Sequence, residues 1–242
     1  MNILFKRKRK SKSTQLTEKR KLITHLYPKS PISEQYRMIR SNIMFSGIDH
    51  EIKKLVVTSA GPSAGKSTTA ANVAIAYAQA GKKVLLIDGD LRKSTVHHTF
   101  ETKNVFGLSN LVTDQINVNQ AVQNTQIENL SILTSGPIPP NPSELLASNR
   151  FKELLSNFEE YFDMIIIDTP PVLAVTDAVI MATVADGTLI VTNAETNNKH
   201  HLVKAKEILQ KSDANILGVV LNNVEQSSTD DYYYYEYYGK SN

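Results

Sequence analysis

The sequence predicts an α/β fold with a mostly parallel central sheet that is flanked by helices on both faces. Between about residues 52 and 223, short aliphatic runs alternate with segments of helical periodicity. The aliphatic runs are apolar throughout rather than at every second position, which is typical of parallel strands buried on both faces. At 242 residues, the chain has the size of one large domain of this kind.

Six strands are predicted from the aliphatic runs, at residues 54–58, 83–88, 130–133, 164–168, 187–191 and 216–221. Four helices are predicted between or after them, at about 66–80, 143–160, 177–185 and 197–211. Another helix should precede the first strand and extend to about Phe45, because Ser30 suits an N-cap and Pro31 suits the first helical position. Its apolar stripe, which can pack on the sheet or on a neighbour, consists of Ile32, Tyr36, Ile39 and Ile43.

The two ends of the chain differ in composition from its centre. Residues 1–21 hold nine Lys or Arg and one Glu, so they contribute +8 to a formal charge of +3 and the rest carries −5. We divide the chain into a basic flexible arm (1–29), a central domain (30–224) that begins with the helix 30–46, and a tail (225–242). The arm could bind an anionic membrane surface, a nucleic acid or an acidic protein, or be only a solvated tail.

The tail contains six tyrosines within seven positions, which are Tyr232, Tyr233, Tyr234, Tyr235, Tyr237 and Tyr238. Acidic residues flank them, whereas a stacking platform for single-stranded nucleic acid is interleaved with cations. The same acids temper a second alternative, an aggregation-prone segment. A flexible tail of phosphate acceptors explains both the redundancy of the tyrosines and their need for access to solvent.

Composition also excludes several kinds of protein. The chain has no cysteine, which rules out a disulfide framework and any metal site built on thiolates. No run approaches the roughly 18 apolar residues that span a bilayer. Residues 1–5 are too short for the apolar region of a signal peptide. We therefore expect a cytoplasmic protein.

A phosphate-binding loop is predicted between the first strand and its helix. Residues 60–67 match the P-loop pattern except that Ala60 replaces the first glycine. Small residues let backbone N–H groups approach a phosphate, while Lys66 adds positive charge and Ser67 offers an oxygen ligand to Mg²⁺. The nucleotide-binding candidates are Gly61, Pro62, Ser63, Ala64, Gly65, Lys66, Ser67 and Thr68. The expected ligands are ATP and Mg²⁺.

Two predicted strands end in aspartate. The second strand ends at Asp88 and continues into Asp90 and Arg92, which point to the same side if the chain stays extended. The fourth strand ends at Asp168, in the form of a Walker B motif. Because the carboxyl ends of parallel strands meet at one edge of a sheet, we expect these side chains to lie beside the P-loop.

These residues can divide the work of phosphoryl transfer. The candidate ligands of Mg²⁺ and its waters are Ser67, Asp90 and Asp168. Asp88 is the candidate base for an acceptor tyrosine, whose hydroxyl has a pKa of about 10. It could instead be a strand-end cap or hold a metal-bound water. Lys66 and Arg92 complete the candidate catalytic residues, since positioning and charge neutralisation supply most of the rate.

In this order, the P-loop, the acidic segment 86–92 and the Walker B segment 165–170 resemble the bacterial tyrosine kinases of capsular and exopolysaccharide assembly. Pro62 within the loop and the terminal tyrosine cluster are typical of that family, and the resemblance covers about residues 30–240. It implies a P-loop NTPase fold and a protein tyrosine kinase that uses ATP and Mg²⁺. Such a kinase would autophosphorylate its tail in trans, act on other tyrosine-containing proteins, and regulate polysaccharide synthesis and export.

The resemblance also implies partners. Glu34, Arg37 and Arg40 match the family's E-x-x-R-x-x-R motif, which implies a ring-like homo-oligomer formed through the helix 30–46. The chain is similar to the subtype whose kinase is separate from its membrane activator. A second partner is therefore the cytoplasmic end of a membrane protein, which would hold the kinase at the inner face of the membrane. No nucleic-acid partner is expected.

Two other functions stay open at this point. The partition and septum-placement ATPases share these motifs, but their signature lysine lies five residues before the P-loop lysine, where this chain has Gly61. A basic adaptor that binds nucleotide without chemistry would not need the complete set of aspartates. Asn222 or Asn223 lies where related nucleotide-binding proteins place an adenine ligand, and a turn-forming asparagine is the alternative.

Overall fold

A computed structural model describes residues 22–47, 51–196 and 198–224. Within them, seven strands form one sheet: β1 (Lys54–Ser59), β2 (Val84–Asp88), β3 (Val122–Asn124), β4 (Leu130–Leu133), β5 (Met164–Asp168), β6 (Gly187–Asn193) and β7 (Ile216–Asn222). Their order across the sheet is β3-β4-β2-β5-β1-β6-β7. Neighbouring strands are parallel except for β3 and β4. The predictions for the tyrosine tail and for most of the basic arm fall outside the described residues.

Ten helices accompany the sheet in these ranges: α1 (Ile23–Leu26), α2 (Pro31–Ser46), α3 (Lys66–Ala78), α4 (Val96–Thr99), α5 (Leu108–Val112), α6 (Val118–Ala121), α7 (Pro142–Ala147), α8 (Asn149–Phe158), α9 (Asp177–Ala182) and α10 (Lys199–Lys211). They cover both faces of the sheet. In β2, Leu86 packs with α3 on one face, whereas Leu85 and Ile87 pack with α8 on the other. The predicted fold class is therefore confirmed.

The six predicted strands are present with nearly the predicted bounds. The prediction missed β3 because its three residues, Val122, Gln123 and Asn124, are mostly polar and do not form an aliphatic run. As an antiparallel edge strand, β3 does not need to be apolar on both faces.

The predicted helix 143–160 is wrong as a single element. Ser148 separates α7 from α8 with an extended backbone, at φ −67° and ψ 152°. Its Oγ accepts the N–H of Phe151, so this serine caps α8 instead of continuing α7. Helical spacing of apolar residues runs through both helices, which hides the break from a periodicity argument.

The helix before β1 begins as predicted. Oγ of Ser30 accepts the N–H of Ser33, and the proline occupies the first helical position. From the predicted apolar stripe, Tyr36 and Ile43 are buried in the cluster that contains α3 and Ile39 packs against it, but Ile32 is 42% exposed. Most of this stripe therefore packs on the chain's own core.

Candidate active site

The P-loop joins β1 to α3 through backbone conformations that a phosphate cradle requires. Ser63 has φ 62° and Gly65 has φ 90°. Ala60 does not have a positive φ, so this position does not require the glycine of the usual pattern. No side chain caps the N-terminus of α3. The N–H groups of its first turn are therefore available to an anion.

The remaining nucleotide-binding candidates lie along the same loop and turn. Pro62 and Ser63 are exposed, while Ala64 is buried. Ser67 and Thr68 are half-buried in the first turn of α3. The predicted loop thus runs from exposed residues, past buried Ala64, to the half-buried first turn of the helix.

Asn222, the last residue of β7, packs against this loop. Its Nδ2 donates to the carbonyl oxygen of Ala64 at 3.2 Å, and a Cβ on Gly65 would clash with the same nitrogen. In this structure Asn222 therefore supports the loop, and its role as an adenine ligand stays a prediction. Asn223 follows with φ 56°, a conformation that asparagine tolerates in turns.

We expect Gly65→Ala to weaken ATP binding by at least about tenfold, because the methyl group displaces Asn222 and strains a left-handed backbone. Calorimetric titration with ATP and Mg²⁺ measures the change. Gly61→Ala is the matched control, since a Cβ there meets nothing within 4 Å. Equal affinities of both variants and the wild type would show that position 65 tolerates a side chain.

Three aspartates meet Lys66 at the carboxyl edge of the sheet. Asp88 and Asp168 end neighbouring strands, and they are paired directly in the β2–β5 register. Nζ of Lys66 lies 3.3 Å from Oδ1 of Asp168 and 3.7 Å from Oδ2 of Asp90. Asp88 and Asp168 are fully buried, and Asp90 is nearly so. The strand ends therefore converge on the P-loop as the sequence predicts.

Opposite charges compensate one another in this cluster. Burial alone would lower the pKa of the Lys66 ammonium, but the negative charges of the three aspartates outweigh burial and raise it. Burial raises the pKa of Asp168, against the opposing effects of Lys66 and of a hydrogen bond from Ser67. The lysine is therefore held in its charged form among carboxylates that share it.

The same residues fit Mg²⁺ and a triphosphate. Oδ2 of Asp168 is buried and has no hydrogen-bond partner within the described part of the chain, so it is uncommitted beside Ser67. The Ser67 hydroxyl accepts from Nζ of Lys66 at 3.2 Å. Among the residues that the structure describes, no three His, Asp or Glu side chains form a metal site by themselves. Mg²⁺ keeps several waters and takes phosphate oxygens, so one or two carboxylates and a hydroxyl are enough.

Asp88 has contacts that support two roles. Its Oδ2 accepts the N–H groups of Thr95 and Val96 at 2.8 and 2.9 Å. Asp88 is therefore a strand-end cap, which is one of the alternative roles considered for it from the sequence. Burial, followed by the charge of Asp168, raises the pKa of Asp88 to about 7, although the hydrogen bonds from Val96 and Thr95 oppose the rise. A carboxylate with such a pKa also suits a general base.

Arg92 does not extend from β2 beside the two aspartates. The strand ends at Asp88, the chain turns, and Nε of Arg92 donates to Oδ2 of Asp177 at 2.8 Å. Its Nη2 also donates to Oγ of Ser143 at 3.0 Å. The chain is therefore not extended from Asp88 to Arg92, and Arg92 does not point to the same side for the reason given by the sequence. The catalytic role of Arg92 stays a prediction.

Asp177 is a site residue that the sequence analysis missed. It is fully buried at the start of α9, and its Oδ1 accepts from Oγ of Ser143 at 2.6 Å. In the sequence it looks like an ordinary acidic residue in the first turn of a helix. Only the fold shows that it ties α7 and α9 to the loop that follows Asp90.

The E-x-x-R-x-x-R residues make contacts within the chain. Glu34 and Arg37 form an ion pair, and Nη2 of Arg37 donates to the carbonyl oxygen of Pro28 at 2.6 Å. Nη1 of Arg40 donates to the carbonyl oxygen of Ala76 at 2.8 Å, near the end of α3. The Arg40 contact joins α2 to α3, whereas those of Glu34 and Arg37 stay within α2 and the turn before it. The oligomerisation role of the three residues stays a prediction.

Within the described ranges, no helix combines the length and the apolar character that crossing a membrane requires.

Comparison with known proteins adds independent findings. A family model described as an AAA domain matches residues 52–216. The tyrosine-protein kinase YwqD of Bacillus subtilis is 47% identical over 220 residues, which are 91% of this chain and 92% of that protein.

Solved structures agree with these matches. The chimerical protein CapA2B2 has a TM-score of 0.82 and 49% identity, covering 85% of this chain and 90% of that chain. The kinase domain of the Escherichia coli tyrosine kinase ETK has a TM-score of 0.82 and 32% identity, covering 86% and 82%. Sequence motifs, site geometry and these similarities lead to one conclusion: the chain belongs to the family of bacterial tyrosine-protein kinases, built on the P-loop NTPase fold.

Proposed function

We propose that this kinase transfers the γ-phosphoryl group of ATP to protein tyrosines, and that its first acceptors are the tyrosines of residues 232–238 in another copy. The observation that carries the proposal is the cluster of Lys66, Asp168 and Asp88 beside an uncapped helix N-terminus. A tail with six tyrosines supplies acceptors in the same chain.

The P-loop and Lys66 would bind and orient the phosphates. The first-turn N–H groups of α3 can wrap the β-phosphate, and the Lys66 ammonium can lie between the β- and γ-phosphates. Ser67, Asp90 and Asp168 would hold Mg²⁺, directly or through water, where it neutralises charge on the phosphates. Much of the rate then comes from positioning.

Asp88 would act on the acceptor. A tyrosine hydroxyl placed beside this carboxylate gives up its proton to Asp88 while its oxygen bonds to the γ-phosphorus. The bond between the γ-phosphorus and the bridging oxygen breaks, and ADP leaves with that oxygen. The hydrogen bonds from Thr95 and Val96 would keep the carboxylate in place throughout.

Assembly and regulation form the second part of the proposal. Met38 and Phe45 lie seven residues apart on one side of α2 and are 62% and 71% exposed, and this apolar surface supports a ring-like oligomer formed through the helix. We place the activator, the cytoplasmic end of a membrane protein, at the inner face of the membrane. Regulation of capsular or exopolysaccharide synthesis and export would follow from phosphorylation of the tail and of other proteins.

A nucleotide-switched scaffold of the partition type is less well supported. Its signature lysine would stand at Gly61, which lacks a side chain to reach a neighbouring nucleotide. A six-tyrosine tail has no part in that function.

Replacing all six tail tyrosines by phenylalanine is expected to remove at least about nine-tenths of self-labelling, because phenylalanine has no hydroxyl to accept the phosphoryl group. Incubation with Mg²⁺ and labelled ATP, followed by detection of phosphotyrosine, measures it. Transfer to an added peptide with the sequence of residues 225–242 should continue. Undiminished self-labelling would show that the acceptors lie elsewhere.

Mixing two variants separates transfer in trans from transfer in cis. One chain carries Lys66→Met with an intact tail, and the other carries an intact site with the phenylalanine tail. Label on the first chain is the expected result. A mixture without label, although the wild type labels itself, would contradict transfer between copies.

A further inference from the structure

Three large apolar side chains are exposed near the candidate active site. Val105 is 61% exposed, Phe106 46% and Ile138 70%. They lie on two segments, 104–107 and 134–138, and we call them the acceptor-edge patch. Exposed groups of this kind are typical of surfaces that bind another polypeptide.

The two segments are tied to each other. The N–H of Gly136 donates to Oδ1 of Asn104 at 2.8 Å, and Nδ2 of Asn104 donates to the carbonyl oxygen of Gly136 at 3.3 Å. Oγ1 of Thr134 donates to the carbonyl oxygen of Phe106 at 3.0 Å. A Cβ on Gly107 would clash with the main chain of Gly136, which shows how closely the segments approach. The patch is therefore presented by fixed backbone.

The patch lies at the same edge of the sheet as the candidate base. Leu133, the last residue of β4, pairs with Ile87, which precedes Asp88 in the parallel strand β2. Nδ2 of Asn104 also lies 3.4 Å from Oγ of Ser94, whose neighbour Thr95 donates its N–H to Asp88. One short chain of contacts therefore joins the patch to the base.

Charge around the patch complements the tail. Lys93 and Lys103 are exposed, as is Glu101, while the Arg92 guanidinium pairs with the buried carboxylate of Asp177. Residues 225–242 contain four acidic residues, one lysine and six tyrosines. Aromatic side chains with acidic neighbours match an apolar surface with cationic neighbours.

The position of the chain's end favours the tail of another copy. The described chain ends at Val224 after β7, five strand spacings or about 24 Å from β4. The seven residues between Val224 and Tyr232 would have a relaxed span of only about 15 Å as a flexible chain. A copy's own tail would have to stretch to lie on the patch, which costs conformational entropy.

We propose that the acceptor-edge patch of Val105, Phe106 and Ile138 docks the tyrosine tail of a second copy and thereby favours tyrosines with aromatic and acidic neighbours. This inference rests on the proposed function, because it describes how the acceptor reaches Asp88. It assigns substrate preference to residues outside the nucleotide-binding motifs.

The test uses the full-length chain with Val105→Ser, Phe106→Ser and Ile138→Ser together. Two acceptors are compared: a peptide with the sequence of residues 225–242, and N-acetyl-tyrosine amide, which has no flanking residues. For the peptide we expect KM to rise about tenfold and kcat to change little, because burial of apolar side chains is lost only in docking. For the amide, kcat/KM should not change. Val203→Ser is the matched control, since Val203 is 54% exposed on α10.

Three outcomes would overturn the docking. The first is an unchanged KM for the peptide. The second is an equal loss on both acceptors, which indicates general damage to the site. The third is a changed mass by light scattering, which would make the patch an interface between folded domains. If the wild type phosphorylates neither acceptor, the proposed function itself is overturned. Docking can still be measured in that case, by fluorescence anisotropy of the labelled peptide with the wild type and with the triple serine variant.

Discussion

Asp88→Asn is expected to slow phosphoryl transfer to tyrosine by about a hundred- to ten-thousandfold, the range that general-base groups contribute. An amide cannot take the proton of the acceptor hydroxyl. ATP affinity should stay within a few-fold of wild type, because Asp88 is not part of the phosphate-binding loop. Single-turnover transfer to the tail peptide and calorimetric titration with ATP measure the two effects separately.

The competing role of Asp88 as a cap requires its own control. Asparagine keeps one oxygen that can accept the N–H groups of Thr95 and Val96, whereas alanine removes the acceptor entirely. If capping is the main role, only Asp88→Ala should damage the enzyme, with a loss of about 1–3 kcal/mol in the free energy of unfolding. Full activity of Asp88→Asn would therefore contradict the base and leave the cap.

The convergence of the aspartates on the P-loop could be predicted because it depends on topology alone. Aliphatic runs identify buried parallel strands, and such strands end at one edge, so Asp88 and Asp168 were expected at the same edge as the P-loop. The structure adds what the pattern does not contain, the direct pairing of the two residues and their complete burial.

Other parts of the site could not be predicted because they depend on where the chain turns. In the sequence, Asp88, Asp90 and Arg92 are spaced by two, as on one side of a strand. The strand ends at Asp88, however, and Arg92 pairs with Asp177, which lies on a helix far along the chain. Asn222 or Asn223 was expected near the adenine of the nucleotide, and the structure adds that the Asn222 amide contacts the P-loop main chain. Such contacts join residues far apart in the chain, so local periodicity does not reveal them.

The ends of helices show the same limit. Ser148 interrupts a continuous helical pattern because its side chain caps the following helix, and only the backbone shows this. Ser30 has the same capping role, yet it was predicted, because Pro31 beside it marks the first helical turn. A capping residue can be read from sequence when a second, independent signal stands next to it.

Lys66→Met is the second change with a large expected effect, since it removes the positive charge that three aspartates share. Without nucleotide, we expect the free energy of unfolding to fall by about 3 kcal/mol, because loss of one partner leaves buried carboxylates uncompensated. Transfer to tyrosine should be abolished. Chemical denaturation in the presence of a chelator measures the first effect and phosphotyrosine detection the second.

Lys66→Arg separates charge from geometry. A guanidinium remains charged and can still pair with Asp168 and Asp90, so most of the lost stability should return. Transfer should not return, because a bulky planar group cannot replace a compact ammonium between the β- and γ-phosphates. A stable Lys66→Met chain would mean that the aspartates do not depend on this lysine, and an active Lys66→Arg chain would mean that charge alone is sufficient for catalysis.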